Sequence, residues 1–289
     1  MSSPACPACR RDLRPDFEKE GLRYGRCPAC GGAFAAVPEG EPARYHDYLP
    51  ELTKTLPDAT RARYGELLDL LAPFRSGGRL LDVGCGAGWF VGEAAARGWA
   101  AEGTEVSRAA VDFGLSRGLR IHHGIIRDAH VPPGSLDVVT LFEVLEHVTR
   151  PDELVRECAT ILRPGGALYL TTPNYGSLTR RLLGKDWSVI SRDHVSLHTA
   201  RTLRILCSEA GFEILRLRSR NILPHEIRRA FGRKGTAVAD PTAMQETVRL
   251  QARIETRAHL RAAKRVANAF LGWTGTGDTV ALLARRRAH

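Results

Sequence analysis

Leu80-Leu81-Asp82-Val83-Gly84-Cys85-Gly86-Ala87-Gly88-Trp89-Phe90-Val91 is the stretch that decides the fold. An apolar run ends in an acid, glycine follows at every second position, and a helical pattern takes over. This reads as strand, tight loop and helix. Glycines at that spacing admit positive φ and let backbone N–H groups approach a ligand closely. A dinucleotide fingerprint would be G-x-G-x-x-G and would need glycine where Trp89 stands. The loop here is G-x-G-x-G. Taken alone it also fits an ordinary glycine-rich turn, so the surrounding chain must decide.

Downstream, strands and helices alternate. A helix over Trp89–Arg97 is expected, then a strand from Trp99 to Thr104 ending at Glu105, and a helix from Ser107 to Arg117. A third strand follows at Leu119–His123 and a buried one at Leu136–Leu141. Pro151 opens a helix to Leu162, closed by Arg163-Pro164-Gly165-Gly166, and Ala167–Thr172 makes the fifth strand. Strands alternating with helices at this spacing predict an α/β fold: a doubly wound, mostly parallel sheet of seven strands. Ligands then sit outside the carboxyl ends of the strands, where the glycine loop, Glu105, Asp128 and Phe142–His147 converge. Glu105 lies 23 residues beyond Asp82, at the end of the next strand, a place suited to holding ribose hydroxyls.

The 289 residues accommodate one large domain with a small module. The module is at the start. Cys6-Pro7-Ala8-Cys9 and Cys27-Pro28-Ala29-Cys30 form two C-x2-C pairs separated by seventeen residues. Each pair sets two thiolates on one turn, and together they supply a closed tetrahedral Zn²⁺ site with no open position, hence structural. Some 35 residues bury too little apolar surface to fold without the metal. The expected organisation is a zinc ribbon over 1–38, a Pro- and acid-rich linker over 39–57 with a helical turn near Arg44–Leu49, and an α/β domain over 58–289. Asp58 caps the first helix of that domain, which runs through Leu71.

Net charge is +10, unevenly spread: from Arg201 onward 18 Lys and Arg face 7 Asp and Glu, against 24 and 25 before it. That surplus suits nucleic acid, an anionic surface or an anionic substrate, or is simply an arginine-rich solvated face. A helix over about Thr242–Leu271, within an insertion from 221 to 277, carries much of it. It can cover the site, dimerise or lie on a membrane, and packing over the sheet is the most economical reading. Strand Asp278–Ala284 pairs with Phe212–Arg218 as an antiparallel edge. No apolar run spans a membrane and the chain starts without a basic-then-apolar leader, which predicts a cytoplasmic location.

LLDVGCGAGWF, the acid Glu105, PPGSLDVVTLFEVLEHV, LRPGGALYLTTPN and the later AGFEIL together resemble the class I S-adenosylmethionine-dependent methyltransferases. The resemblance covers roughly Asp58 to Leu217 and the final strand. Among subgroups it is most similar to the ubiquinone-biosynthesis O-methyltransferases. It implies that Gly84, Gly86 and Gly88 line the methionine part of S-adenosylmethionine, that Glu105 binds the ribose and that Asp128 lies near the adenine. Asp82, Cys85 and Phe142 complete the expected cofactor-lining set. Many relatives carry Gly-Asp where Gly124-Ile125 stands here, a departure at the adenine end.

Glu143, Glu146 and His147 form E-x-x-E-H after the fourth strand. On a helical turn these positions share one face. The pattern is similar to the divalent-metal site of ubiquinone O-methyltransferases and of small-RNA 3′-end methyltransferases. His194, in Arg192-Asp193-His194, and His198 are candidates to complete it. Such a set can hold Mg²⁺ or another divalent metal and acidify a hydroxyl; alternatively His147 acts as a base without metal, or only fixes the turn. Gly176–His198 is the expected lid, whose Arg180, Arg181, Lys185 and Trp187 suit an anionic or glycosylated acceptor or form a solvated face. The reading is O-methylation of a small-molecule hydroxyl. Its alternatives are RNA methylation using the ribbon and basic third, sugar C-methylation, and a non-catalytic cofactor-binding scaffold. Thr172-Pro173-Asn174 in place of N-P-P-Y speaks against base methylation.

Overall fold

The computed structural model describes residues 4–37, 55–221, 226 and 258–288. Apolar runs at 79–83 and 136–142 are buried on both faces, as strands covered by helices must be. They form the centre of a sheet. Its strands are β4 (Arg79–Val83), β5 (Ala100–Glu105), β6 (Ile121–His123), β7 (Leu136–Phe142), β8 (Leu162–Pro173), β10 (Phe212–Arg220) and β11 (Thr279–Arg286). The order across the sheet is β10-β11-β8-β7-β4-β5-β6. β4 through β8 run parallel, while β11 is antiparallel to both its neighbours. The expected seven-stranded, mostly parallel architecture is thus present. Its helices are α1 (Asp58–Leu71), α2 (Trp89–Ala96), α3 (Arg108–Ser116), α4 (Pro151–Ile161), α5 (Leu178–Leu183), α6 (Ala200–Glu209) and α7 (Ala258–Thr274).

The sheet separates two apolar layers. One holds Leu67, Leu68, Leu71, Phe90 and Val91 from α1 and α2 against Leu80 and Val138. The other holds Val155, Cys158, Leu203, Leu206 and Phe212 against Leu81, Val139 and Leu170. Several boundaries shift by a residue or two from the sequence reading. Pro57 rather than Asp58 is the N-cap of α1, and Asp58 opens its first turn, where a carboxylate meets the positive end of the helix dipole. The span read as a turn at 163–166 continues β8, which begins at Leu162.

The N-terminal residues form β1 (Arg14–Lys19), β2 (Leu22–Arg26) and β3 (Ala33–Ala35). Their sheet has a fourth strand that the sequence did not announce. It is β9, Ser196–Leu197, from the far end of the expected lid, with Ala33 opposite Leu197 and Phe34 opposite Ser196. The ribbon therefore shares a sheet and a core with the large domain: Leu22, Tyr24 and Ala33 pack with Tyr175, Trp187, Ile190 and Leu197.

The helical turn expected near 44–49, the linker up to residue 54 and the part of the basic helix before 258 lie outside the described residues. The remainder, α7, packs against β10. Leu271 is buried there and its carbonyl accepts from Ser219 Oγ at 2.7 Å, while Val266, Phe270 and Trp273 face outward. Among the described residues no helix is long and apolar enough to cross a membrane.

Candidate active site

Three glycines with positive φ (Gly84 69°, Gly86 53°, Gly88 72°) carry the chain from β4 into α2. Their reasons differ. A Cβ on Gly84 would meet Val144 at 2.6 Å and one on Gly88 would meet Ile121 at 2.7 Å, so both are required by packing. A Cβ on Gly86 would meet nothing within 4 Å. The middle of the loop thus borders open space, as a cradle for a ligand does. The Gly86 N–H donates to Glu105 Oε2 at 2.8 Å, and the Ser107 N–H donates to Oε1 at 2.8 Å. One carboxylate ties the loop to the start of α3.

Asp82, at the end of β4, is buried and accepts from Thr140 Oγ1 at 2.7 Å. Burial pushes its carboxyl up to about 7, against the bond from Thr140 and with a contribution from Glu105. Cys85 packs beneath the loop against the position of Gly103. Phe142 stands at the tip of β7 among Phe90 (4.9 Å between ring centroids), Tyr169 (5.9 Å) and Tyr64 (6.2 Å). Asp128 is occupied locally: its Oδ2 accepts from the Ile125 N–H at 2.7 Å and closes the short turn 126–129.

The expectation that Glu143, Glu146 and His147 share one helical face is corrected. Glu143 adopts φ 54° and donates its N–H to the Thr171 carbonyl, so the chain leaves β7 through a left-handed residue. Only 145–147 form a 3₁₀ turn. A non-glycine residue held there costs about 1–2 kcal/mol, and such strain concentrates at functional sites. Glu143 is exposed yet crowded by protein atoms, and that crowding raises its carboxyl pKa. Glu146 is buried, and burial and then the Glu143 charge raise its pKa well above the ordinary range. Its Oε2 accepts from Thr172 Oγ1 at 2.9 Å, while Oε1 is buried with no hydrogen-bond partner.

Beside the Glu146 carboxyl stand two imidazoles, whose rings are 4.6 Å apart. His147 Nδ1 lies 2.9 Å from the Asp193 carbonyl and His194 Nδ1 lies 2.6 Å from the Val189 carbonyl. A carbonyl only accepts, so the His194 Nδ1 carries the proton and its neutral ring has its lone pair on Nε2, whereas the His147 ring is set between the carbonyls of Asp193 and Glu143. Burial lowers both pKa values, that of His194 to about 4 with help from the His147 charge. The His147 ring also faces the Glu143 carbonyl, which with Asp193 favours the protonated ring once a proton arrives. Glu146, His147 and His194 each offer a ligand atom within 4.8 Å of the other two.

Glu143 adjoins that trio through the Glu146 carboxyl and the His147 ring, while His198 stands apart from it. His198 is fully buried, bonded through Nε2 to the Leu145 carbonyl at 3.2 Å, with its ring edge-on to Phe34 of the ribbon. Trp187, expected to present itself to an acceptor, is fully buried in the ribbon interface, and Arg180 stacks on the Tyr175 ring at 3.9 Å. A single Trp and an Arg in a loop give no signal that distinguishes packing from display. Tyr64, Tyr169 and Arg220, whose guanidinium reaches the Tyr169 hydroxyl at 2.8 Å, border the site and were not singled out by sequence. Each had an ordinary packing or charge explanation.

Residues 58–217, over half the chain, match the family described as methyltransferase domain. The chain belongs to that family. It is an enzyme of the S-adenosylmethionine-dependent methyltransferase class. A ubiquinone biosynthesis O-methyltransferase of Azoarcus sp. (strain BH72) is 31% identical over 158 residues, 49% of this chain and 67% of that protein. One from Xanthomonas euvesicatoria pv. vesicatoria is 39% identical over 108 residues, 34% of this chain and 44% of that protein. The methyltransferase thus spans between 44% and 67% of the length of these two relatives. Among solved structures, a SAM-dependent methyltransferase from Archaeoglobus fulgidus superposes with TM-score 0.52 at 16% identity, covering 78% of this chain and 94% of that one. Phosphoethanolamine N-methyltransferase 2 from Haemonchus contortus, solved with S-adenosyl-L-methionine, gives 0.53 at 17%, covering 78% and 53%. These structures share the fold of the methyltransferase.

The four cysteines form the methyltransferase's second cluster. Cys6 Sγ lies 3.6 Å from Cys30 Sγ, and Cys9 Sγ lies 3.3 Å from Cys27 Sγ. All four sulfurs are within 4.8 Å of one another. A tetrahedron with arms of ~2.3 Å has edges of about 3.8 Å, so the set fits one Zn²⁺. Arg10 and Gly31, each following the second cysteine of its pair, both have positive φ (61° and 78°), which makes the two turns equivalent. The contact with Cys6 pushes the Cys30 thiol down to about 5, while the same contact, then burial, pushes Cys6 up. Four thiols this close ionise together only around a cation.

Proposed function

We infer that the methyltransferase transfers the methyl group of S-adenosylmethionine to a hydroxyl of a small molecule. Bound at the glycine loop, the sulfonium supplies an electrophilic methyl: the acceptor oxygen forms the new O–C bond as the C–S bond breaks and its electrons remain on sulfur. The chain's own residues do the rest. Gly86 leaves room for the cofactor at the loop, and the Glu105 carboxylate, at the end of β5, suits ribose hydroxyls. Asp128 and the exposed Ile125 border the adenine end. The hydroxyl proton passes to the His147–His194 pair, where the His194 Nε2 holds a lone pair. The observation that carries this reading is the pair itself: two imidazoles held neutral by burial, each fixed through Nδ1 to a carbonyl, His147 on the turn packed against the glycine loop and His194 facing it from the lid. The names of the ubiquinone biosynthesis O-methyltransferase relatives support oxygen as the accepting atom.

One observation favours a metal-assisted form of this reaction. The Glu146 carboxyl, one of whose oxygens is buried without a hydrogen-bond donor, has an oxygen within reach of both imidazoles and adjoins the Glu143 carboxyl, a donor set that suits a divalent cation. Glu146, His147 and His194 would hold it, and the ion would supply Lewis acidity toward the acceptor hydroxyl. Zn²⁺ in the four-cysteine cluster would be structural. Metal analysis of the purified chain, before and after chelation, separates the two forms. Methyl transfer to a catechol probe such as 3,4-dihydroxybenzoate that survives complete removal of divalent ions leaves the imidazole pair acting alone. Retention of transfer in His147→Ala and His194→Ala would count against the whole assignment.

A further inference from the structure

The ribbon grips the lid on both sides of His194. The hairpin tip between β1 and β2 holds both ends of one loop: Lys19 Nζ donates to the Trp187 carbonyl at 3.1 Å, and Glu20 Oε2 accepts from the Arg192 N–H at 2.8 Å. From the centre of β2, the Tyr24 hydroxyl donates to the His194 carbonyl at 3.0 Å and to the Ser191 carbonyl at 3.2 Å. The Ala35 N–H donates to the Val195 carbonyl at 2.8 Å, and β9 follows at once as the fourth strand of the ribbon sheet. At the metal end, the Cys30 carbonyl accepts from Thr199 Oγ1 at 2.8 Å, at the N-cap of α6. Ser196 Oγ then donates to the Val148 carbonyl at 2.7 Å, which ties the lid to the turn bearing His147.

Tyr24 is 2% exposed and stacked on Phe17 at 4.6 Å, so its hydroxyl has little freedom. Burial raises its pKa, which keeps it a donor. The backbone of His194 is therefore held from the ribbon side, and its ring from the lid side by Val189. The ribbon also meets α4 through Arg10 and Asp152 and shares the apolar core, but its hydrogen bonds to backbone carbonyls and N–H groups of the large domain fall on 187–197.

We propose that the four-cysteine ribbon is the positioning element of the acceptor side, with Tyr24 as the positioning residue that sets His194 and with metal in the cysteine cluster holding Tyr24 in place. The inference rests on the reading of His147 and His194 as the proton-accepting pair. It adds that cofactor binding, which uses β4, β5 and the glycine loop, is independent of the ribbon.

The test uses the full chain, ¹⁵N-labelled at histidine, and needs no acceptor. Tyr24→Phe removes one hydroxyl. Tyr175→Phe removes another from the same buried cluster, where the hydroxyl donates to Asp16, accepts from the Arg180 guanidinium and touches no carbonyl of 187–199. Expected for Tyr24→Phe is a changed His194 ring signal and amide exchange over 191–198 faster by roughly tenfold, the effect of one lost hydrogen bond on a local opening. In Tyr175→Phe the His194 signal stays as in the wild type. Metal withdrawal by chelator is expected to speed exchange over 187–199 while exchange over 79–105 and affinity for S-adenosylmethionine hold. An unchanged His194 signal in Tyr24→Phe, or equal changes in both variants, overturns the positioning role. Exchange over 187–199 that ignores chelation, or a purified chain with no metal and the same slow exchange, overturns the metal's part. Absence of S-adenosylmethionine binding by the wild type, titrated in the same samples, would instead defeat the methyltransferase reading.

Discussion

A methyl of Val144 occupies the space 2.6 Å from where a Cβ on Gly84 would stand. The turn that carries Glu146 and His147 is therefore packed directly on the loop between β4 and α2. Two segments distant in sequence thus meet with no room for a side chain between them.

That contact separates two glycine substitutions. Gly84→Ala must displace Val144 and hold alanine at φ 69°, a combined cost of about 2–4 kcal/mol, and should lower the melting temperature sharply. Gly86→Ala meets open space at φ 53° and costs about 1–2 kcal/mol, yet places a methyl where the cofactor must come. Calorimetric melts and cofactor titration should show Gly84→Ala failing first in stability and Gly86→Ala failing first in binding. The reverse order would mean that the loop's middle does not face the ligand.

Asp82 gives the fold a pH dependence of known sign. Its carboxyl, ordinarily near 3.8, is pushed up to about 7 in the folded chain, so folding favours the protonated form. The stability this contributes is complete at low pH and is lost as pH rises from about 4 through 7. Asp82→Asn, which can still accept from Thr140, should flatten that decline and be relatively more stable at pH 8 than at pH 5. Denaturant midpoints at the two pH values check it; parallel declines in both proteins would show that Asp82 is ionised without penalty.

His147→Ala and His194→Ala should each lower kcat by about 10²–10⁴-fold with cofactor affinity held, because a proton acceptor contributes in the transition state. His198→Ala should behave differently. Its imidazole packs edge-on against Phe34 and bonds to Leu145, so the loss should appear in thermal stability first. Equal kinetic profiles for all three variants would dissolve the distinction between the pair and His198.

Glu146→Gln tests the metal-assisted form. In the metal-free chain the buried carboxyl is already favoured in its neutral state, so the amide should leave stability within ~1 kcal/mol. Binding of Mn²⁺, followed by its paramagnetic resonance signal, should be lost at this site. Undiminished Mn²⁺ binding would place any ion elsewhere.

The parallel sheet was legible because Leu80–Val83 and Leu136–Leu141 are apolar on both faces and end at carboxylates or an aromatic cluster. The glycine loop was legible because its spacing excludes the dinucleotide alternative. The four-cysteine cluster was legible from two equal turns. The partnership of ribbon and lid was not, because β9 is two residues long and has no periodicity, and its pairing spans more than 160 positions. The turn at Glu143 escaped for a related reason: nothing in E-x-x-E-H signals that its first residue would take positive φ. Trp187 and Arg180 misled because an exposed-looking loop was filled by a module far away in sequence.

The central claim is that the glycine loop and Glu105 together form the site for S-adenosylmethionine, and calorimetric titration of that cofactor into the wild type and Glu105→Ala tests it most directly. The wild type should bind one equivalent, and Glu105→Ala, which loses the tie to Gly86 and Ser107 and the carboxylate proposed to hold the ribose, should bind at least roughly tenfold more weakly. A wild type that takes up no cofactor, or a Glu105→Ala variant that binds it equally well, would contradict the account.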